Sequence, residues 1–115
     1  MSPERQWSFL IRDMIEAIEK IEQFTSGMTF EAFSRDVRTV DAVLRNFQVI
    51  GEASRRLRPD IRDANLEIEW KQIIAMRHVV VHDYEGVRLP IVWETMTVDL
   101  PPLKDKLLRI LAKAT

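Results

Sequence analysis

Apolar residues recur along most of the chain at helical spacing. Trp7, Ile11, Met14, Ile18 and Ile21 follow one another at intervals of three and four, with Leu10, Ile15 and Phe24 widening the stripe. That rhythm predicts an amphipathic helix over residues 4–25, stopped by Ser26-Gly27. Thr29 is placed to cap a short turn over residues 30–33. A second long helix is predicted over residues 35–57, where Val37, Val40, Leu44, Phe47, Gly51 and Ser54 keep the period and Val43, Ile50 and Leu57 flank it. Glycine inside a helix costs about 1 kcal/mol against alanine, so Gly51 implies close approach of a neighbouring helix. Pro59 cannot continue the ladder and ends the run. Residues 59–68 read as a loop or a short turn.

A third helix is expected from about Glu69, carrying Trp70, Ile73, Ile74 and Arg77. Val79-Val80-Val81 is β-branched and resembles a strand locally, but no other segment offers it a partner, so it is assigned to the helix. Residues 83–89, with Gly86, form the joint. Pro90 suits the first turn of a fourth helix. That helix carries Ile91, Val92, Met96 and Leu100, is kinked or broken at Pro101-Pro102, and continues through Leu103, Leu107, Ile110 and Leu111. The expectation is an all-α, up-and-down bundle of four main helices in a single domain over residues 1–115. The stripes themselves are core and carry no chemistry.

Composition narrows the class of function. The chain of 115 residues has no cysteine, which excludes a disulfide framework and cysteine-based zinc sites and fits a reducing cytoplasm. No apolar run is long enough to span a membrane, and Glu4 and Arg5 interrupt the N-terminal segment, unlike a signal peptide. Net charge is −1, so the chain is not a globally basic nucleic-acid binder. The charge is nonetheless uneven. Residues 1–31 hold six acids against three bases, whereas residues 35–62 hold seven arginines against Asp36, Asp41, Glu52 and Asp60. The guanidinium fork suits phosphate. The same stretch also reads as a solvated face laced with ion pairs such as Arg38–Asp41–Arg45.

The segment IIAMRHVVVHDYEGV, residues 73–87, contains both histidines and the single tyrosine of the chain. Arg77, His82 and Tyr84 form the pattern R-x4-H-x-Y. On a continuous helix Arg77 and Tyr84 fall within about 20° of each other and His82 about 140° away. The three therefore converge only if the helix ends near His82 or if a second chain completes the site, as a two-fold dimer would. Such a set suits RNA. The 2′-hydroxyl is the nucleophile, histidine serves as base and acid near neutrality, arginine steadies the phosphorane, and tyrosine donates a hydrogen bond or stacks on a base. No metal is required. Blander readings exist for each residue: Arg77 paired with an acid such as Glu85 or Glu94, Tyr84 as a core ring, His82 as a helix-end cation. His78 and His82, at i and i+4 beside Asp83, have metal-compatible spacing but no obvious third ligand.

At this point a resemblance becomes visible. MRHVVVHDY resembles the R-x4–6-H-x-Y motif of HEPN domains, and flanking segments resemble the HepT-like branch: IEAIEKIEQF at 15–24, residues 33–36, AVLRNFQVIGEAS at 42–54, Trp70 with IIAMR, HDYEGV at 82–87 and VWETMTVDLPPL at 92–103. Order and spacing agree over nearly the whole chain. The resemblance implies a HEPN-type bundle that acts as a toxin, an RNA endonuclease needing neither metal nor cofactor, with two motifs lining one cleft of a homodimer. It implies a cognate minimal nucleotidyltransferase antitoxin that attaches AMP to the motif tyrosine. Carried over by position, Arg77 and His82 are catalytic and Tyr84 is the AMP acceptor and a further site residue. The alternative within the same family is a non-catalytic nucleotide-binding or scaffold module. His78 departs from the family pattern, in which the residue after the arginine is commonly asparagine-like. Facing the cleft it would be a second proton donor or phosphate ligand; facing the bundle it would be packing.

Overall fold

The computed structural model describes residues 3–81 and 88–113, and among them every regular element is helical. Helix α1 spans Pro3–Thr25, α2 Phe30–Arg35, α3 Val37–Arg56, α4 Pro59–Asp63, α5 Trp70–Val81, α6 Leu89–Glu94 and α7 Leu100–Ala112. The all-α expectation holds. The valines at 79–81 are helical in backbone, as a chain without a partner strand requires.

Helix α3 is the central element, packed on one side against α1 and on the other against α5, while α7 closes on α1. The predicted stripes supply the core: Ile11, Met14, Ile18 and Ile21 from α1 meet Val40, Val43, Phe47 and Ile50 from α3, all essentially without solvent contact. Burying side chains of this size stabilises by roughly 1.5–3 kcal/mol each. Ser54, also fully buried, meets its polar requirement inside the core, where its hydroxyl donates to the Ile50 carbonyl at 2.8 Å and lies 3.5 Å from Met14 Sδ. Lys104 of α7 bridges Glu19 and Glu22 of α1, at 3.5 and 2.9 Å, over the outer seam.

Three joints differ from the sequence expectation. The second long helix begins at Val37 rather than Arg35, because Asp36 is extended and caps both neighbours. Its backbone N–H donates to the Phe33 carbonyl at 3.1 Å, and its carboxylate accepts from the Thr39 N–H at 3.1 Å and the Thr39 hydroxyl at 2.8 Å. Those bonds hold the Asp36 carboxyl below its ordinary value. The residues before it form α2, capped by Thr29 as expected, and Phe30 and Phe33 pack edge-on and tilted against Trp93 of α6 at 6.0 and 5.3 Å.

Residues 59–68 are more ordered than a loop. Pro59 opens α4, where its missing N–H is harmless. Arg62 donates to the Ser54 and Arg55 carbonyls at the end of α3, at 3.1 and 3.2 Å, and Trp70 Nε1 donates to the Arg62 and Asn65 carbonyls at 3.1 and 3.0 Å.

The distortion expected at Pro101-Pro102 lies one turn earlier. Residues Thr95–Asp99 form a π turn in which the Leu100 N–H reaches the Thr95 carbonyl, and the two prolines sit in the first turn of α7. In a regular helix each proline ring would press on the carbonyl four residues back, at Thr97 and Val98. Widening that turn to the π form relieves both contacts while the helix continues.

Candidate active site

The site is built where α3 and α5 touch. Gly51 provides the contact: a Cβ placed on it would lie 2.7 Å from the Arg77 backbone nitrogen and 3.0 Å from both Arg77 Cβ and the Ile74 carbonyl oxygen. The close approach inferred from the sequence is thus real, and its partner is the motif arginine. Main chain against main chain fixes where the Arg77 side chain starts.

That side chain turns back across α3. Arg77 Nη1 donates to Glu52 Oε2 at 3.1 Å, with the arginine side chain 32% exposed and the glutamate 40%. Glu52 also receives Arg55, whose Nη2 and Nε lie 2.6 and 3.3 Å from its two oxygens. The Arg55 bonds chiefly, and then Arg77, bring the Glu52 carboxyl down from 4.5 to about 2, so it is a carboxylate throughout the neutral range. Arg77 Nε is buried and, among the described residues, has no hydrogen-bond partner. Leaving such a donor unmet costs on the order of 1–3 kcal/mol.

A pocket of about 210 Å³ opens over this pair, lined by Gln48, Glu52, Arg77 and His78. His78 is exposed and faces this opening rather than the bundle interior. The two sequence-derived candidates that the structure describes, Arg77 and His78, are therefore brought together on one solvent-facing surface. His82 and Tyr84 lie outside the described residues, as does Glu85. The pairing of Arg77 with Glu94 does not occur; Glu52 takes that role because Gly51 lets α5 settle one residue away from it.

Sequence reasoning missed Glu52 and Gln48. The signal was their i, i+4 spacing astride the helical glycine, which puts both on the face that α5 approaches. The basic stretch also sorts differently from the ladder expected. Among the described residues no ion pair joins Arg38, Asp41 and Arg45. Instead Arg55 holds Glu52, Arg58 holds Asp60, and Arg62 binds backbone carbonyls.

The fold and this surface define an all-α bundle of the HEPN type. The chain belongs to the HepT-like ribonuclease family, whose model matches residues 14–110. It is similar to a protein of Thermococcus cleftensis described as a probable ribonuclease HepT, with 41% identity over 84% of this chain and 87% of the relative. Further relatives provisionally described as RNases occur in Caldanaerobacter subterraneus, at 31% identity over 90% of this chain and 92% of the relative, and in Methanocaldococcus jannaschii, at 33% over 95% and 90%. No solved structure matches the chain. Among the described residues no helix is long and apolar enough to cross a membrane.

Proposed function

We propose that this chain is a metal-independent endoribonuclease, the toxin of a pair whose second member is a minimal nucleotidyltransferase. The observation that carries the reading is Arg77: a motif arginine of a ribonuclease family, pinned at its backbone by Gly51 and lining an open pocket beside His78.

In this reading two copies pair so that their motifs share one cleft. His82 takes the proton from a ribose 2′-hydroxyl, and the freed oxygen attacks the adjacent phosphorus. The partner subunit's His82 gives a proton to the departing 5′-oxygen. The products are a 2′,3′-cyclic phosphate and a 5′-hydroxyl, which balances protons without an added reactant. Arg77 bonds the phosphate oxygens as negative charge builds on them, a role in which arginine's paired donors are effective. An incoming phosphate competes with Glu52 for the guanidinium, and Arg55 retains the displaced carboxylate. His78, on the pocket wall, is a further phosphate ligand or proton donor.

The test is cleavage of purified cellular RNA in EDTA by the wild-type chain and by His82→Ala. Cleavage by the wild type alone, leaving cyclic phosphate ends, is expected, with the variant slower by about 10²–10⁴-fold. An unmodified, dimeric wild type that binds nucleotide but leaves RNA intact would instead favour the scaffold module.

Regulation follows from the same pattern. AMP attached to Tyr84 adds a phosphodiester charge and a nucleoside within the cleft and excludes RNA by repulsion and bulk. Tyr84→Phe should abolish labelling by the cognate nucleotidyltransferase and ATP. Undiminished labelling of the Phe variant would move the acceptor elsewhere.

A further inference from the structure

A second pocket, of about 310 Å³, adjoins the one at Arg77. It lies between α1 and α3, is lined by Asp13, Arg45, Val49, Ala53 and Arg56 among others, and shares Gln48 and Glu52 with the first. The two openings form one continuous surface across α3. Positions 45, 48, 52 and 56 follow at helical spacing, so Arg45 and Arg56 stand at the ends of one stripe, about 16 Å apart along the axis. Both are exposed, and among the described residues neither makes a side-chain hydrogen bond or ion pair. Their neighbours Arg55, Arg58 and Arg62 are all engaged. The surface thus holds unspent positive charge at two fixed points, with Glu52 neutralised between Arg55 and Arg77.

The far side adds an aromatic. Phe9 of α1, 39% exposed, precedes Asp13 by four residues and so projects from the same helical face, one turn along. Arg12 lies over its ring, 5.8 Å from the centroid. Free cations along a groove, an apolar floor and an exposed ring at its end are the physical requirements of a single-stranded nucleic-acid track.

We infer that this surface is the track for single-stranded RNA flanking the scissile phosphate, with Arg45 and Arg56 binding non-adjacent backbone phosphates of one strand and Phe9 stacking on an unpaired base. The inference rests on the ribonuclease reading and extends it from the reacting phosphate to the strand on either side. It makes the enzyme a reader of unpaired segments, because stacking on Phe9 needs a base free of its partner.

The test is binding of a 12-nucleotide single-stranded RNA with 2′-O-methyl riboses, which lacks the nucleophile and cannot be cleaved. Wild type, Arg45→Gln/Arg56→Gln, Phe9→Ala and the charge-matched control Arg35→Gln/Arg109→Gln are compared at several salt concentrations. Arg35 and Arg109 are exposed and line neither pocket. The track double variant should bind on the order of tenfold more weakly, with its salt slope reduced by about 1.4, the loss of two phosphate contacts on a single strand. Phe9→Ala should weaken binding with no change of slope, and the control should match wild type. Wild-type affinity and slope in the track variant, in a preparation whose parent cleaves RNA, would overturn the track alone. A wild type that neither binds nor cleaves would remove the ribonuclease reading with it. A track variant that falls from dimer to monomer would overturn the proposal and give this face to the contact between copies.

Discussion

Gly51→Ala should lower both stability and RNA cleavage, the second far more than the first. The added methyl would stand 2.7 Å from the Arg77 nitrogen and 3.0 Å from the Ile74 carbonyl oxygen. Both are main-chain atoms of α5, so no side-chain rotation makes room and the helix itself must move. Overpacking of this kind costs about 1–3 kcal/mol, and a backbone obstacle belongs at the upper end. Alanine returns about 1 kcal/mol of helix propensity, leaving a net loss of about 2 kcal/mol. Because the atom struck belongs to Arg77, α5 retreats at the residue that must meet the phosphate, and a misplacement near 1 Å can cost about 10²-fold in rate. Gly27→Ala provides the contrast. Gly27 has a φ of +75° and nothing within 4 Å of an added Cβ, so its cost is backbone strain at the end of α1, with cleavage per folded molecule unchanged. Denaturant unfolding and single-turnover cleavage on both variants separate the effects. A Gly51→Ala protein cleaving at the wild-type rate would show that α5 can back away without moving the guanidinium out of register.

The contrast between these glycines also shows what the sequence could carry. Gly27 was legible as a stop because a positive φ after an apolar stripe is a local requirement. Gly51 was legible as a place of close approach because a mid-helix glycine is costly without one. What approached it was not legible, since the pairing of α3 with α5 is a tertiary fact, and Glu52 was therefore overlooked while Glu85 and Glu94 were considered for Arg77. Asp36 was read as lying inside a helix because its neighbours keep an apolar period through it. The double cap, with Thr39 bonding both carboxylate oxygens, outweighs that period. The two prolines at 101 and 102 announced a disturbance correctly, but its position depended on which carbonyls they would strike, four residues earlier. Charge was the least legible property. Identical arginines at 45, 55, 56, 58 and 62 divide into bonded and free ones according to which carboxylate or helix end lies within reach.

Arg77→Ala should reduce cleavage by about 10²–10³-fold, the loss that follows removal of one preorganised partner of a developing charge. Arg77→Lys should rescue little of it. A lysine can supply one point charge, but a phosphorane presents oxygens that the planar fork meets two at a time, and the ammonium would still be drawn to Glu52. Stability should respond differently from activity. Glu52 keeps both its bonds to Arg55, including the short one at 2.6 Å, when Arg77 is removed, and part-exposed ion pairs contribute little in any case. The α3–α5 contact survives because it is made by the Arg77 backbone and not by its guanidinium. The Ala and Lys variants should therefore melt close to wild type while losing cleavage, the reverse of a residue whose task is to hold the bundle together. Equal losses of melting temperature and rate would make Arg77 a structural tie between α3 and α5. Adding Glu52→Gln to the wild type completes the case: a competitor for the guanidinium is gone, so the apparent affinity for uncleavable RNA should rise, and the same substitution in the Arg77→Ala background should leave affinity unchanged. A gain that persists without Arg77 would mean that Glu52 acts on RNA through general repulsion and not through the arginine.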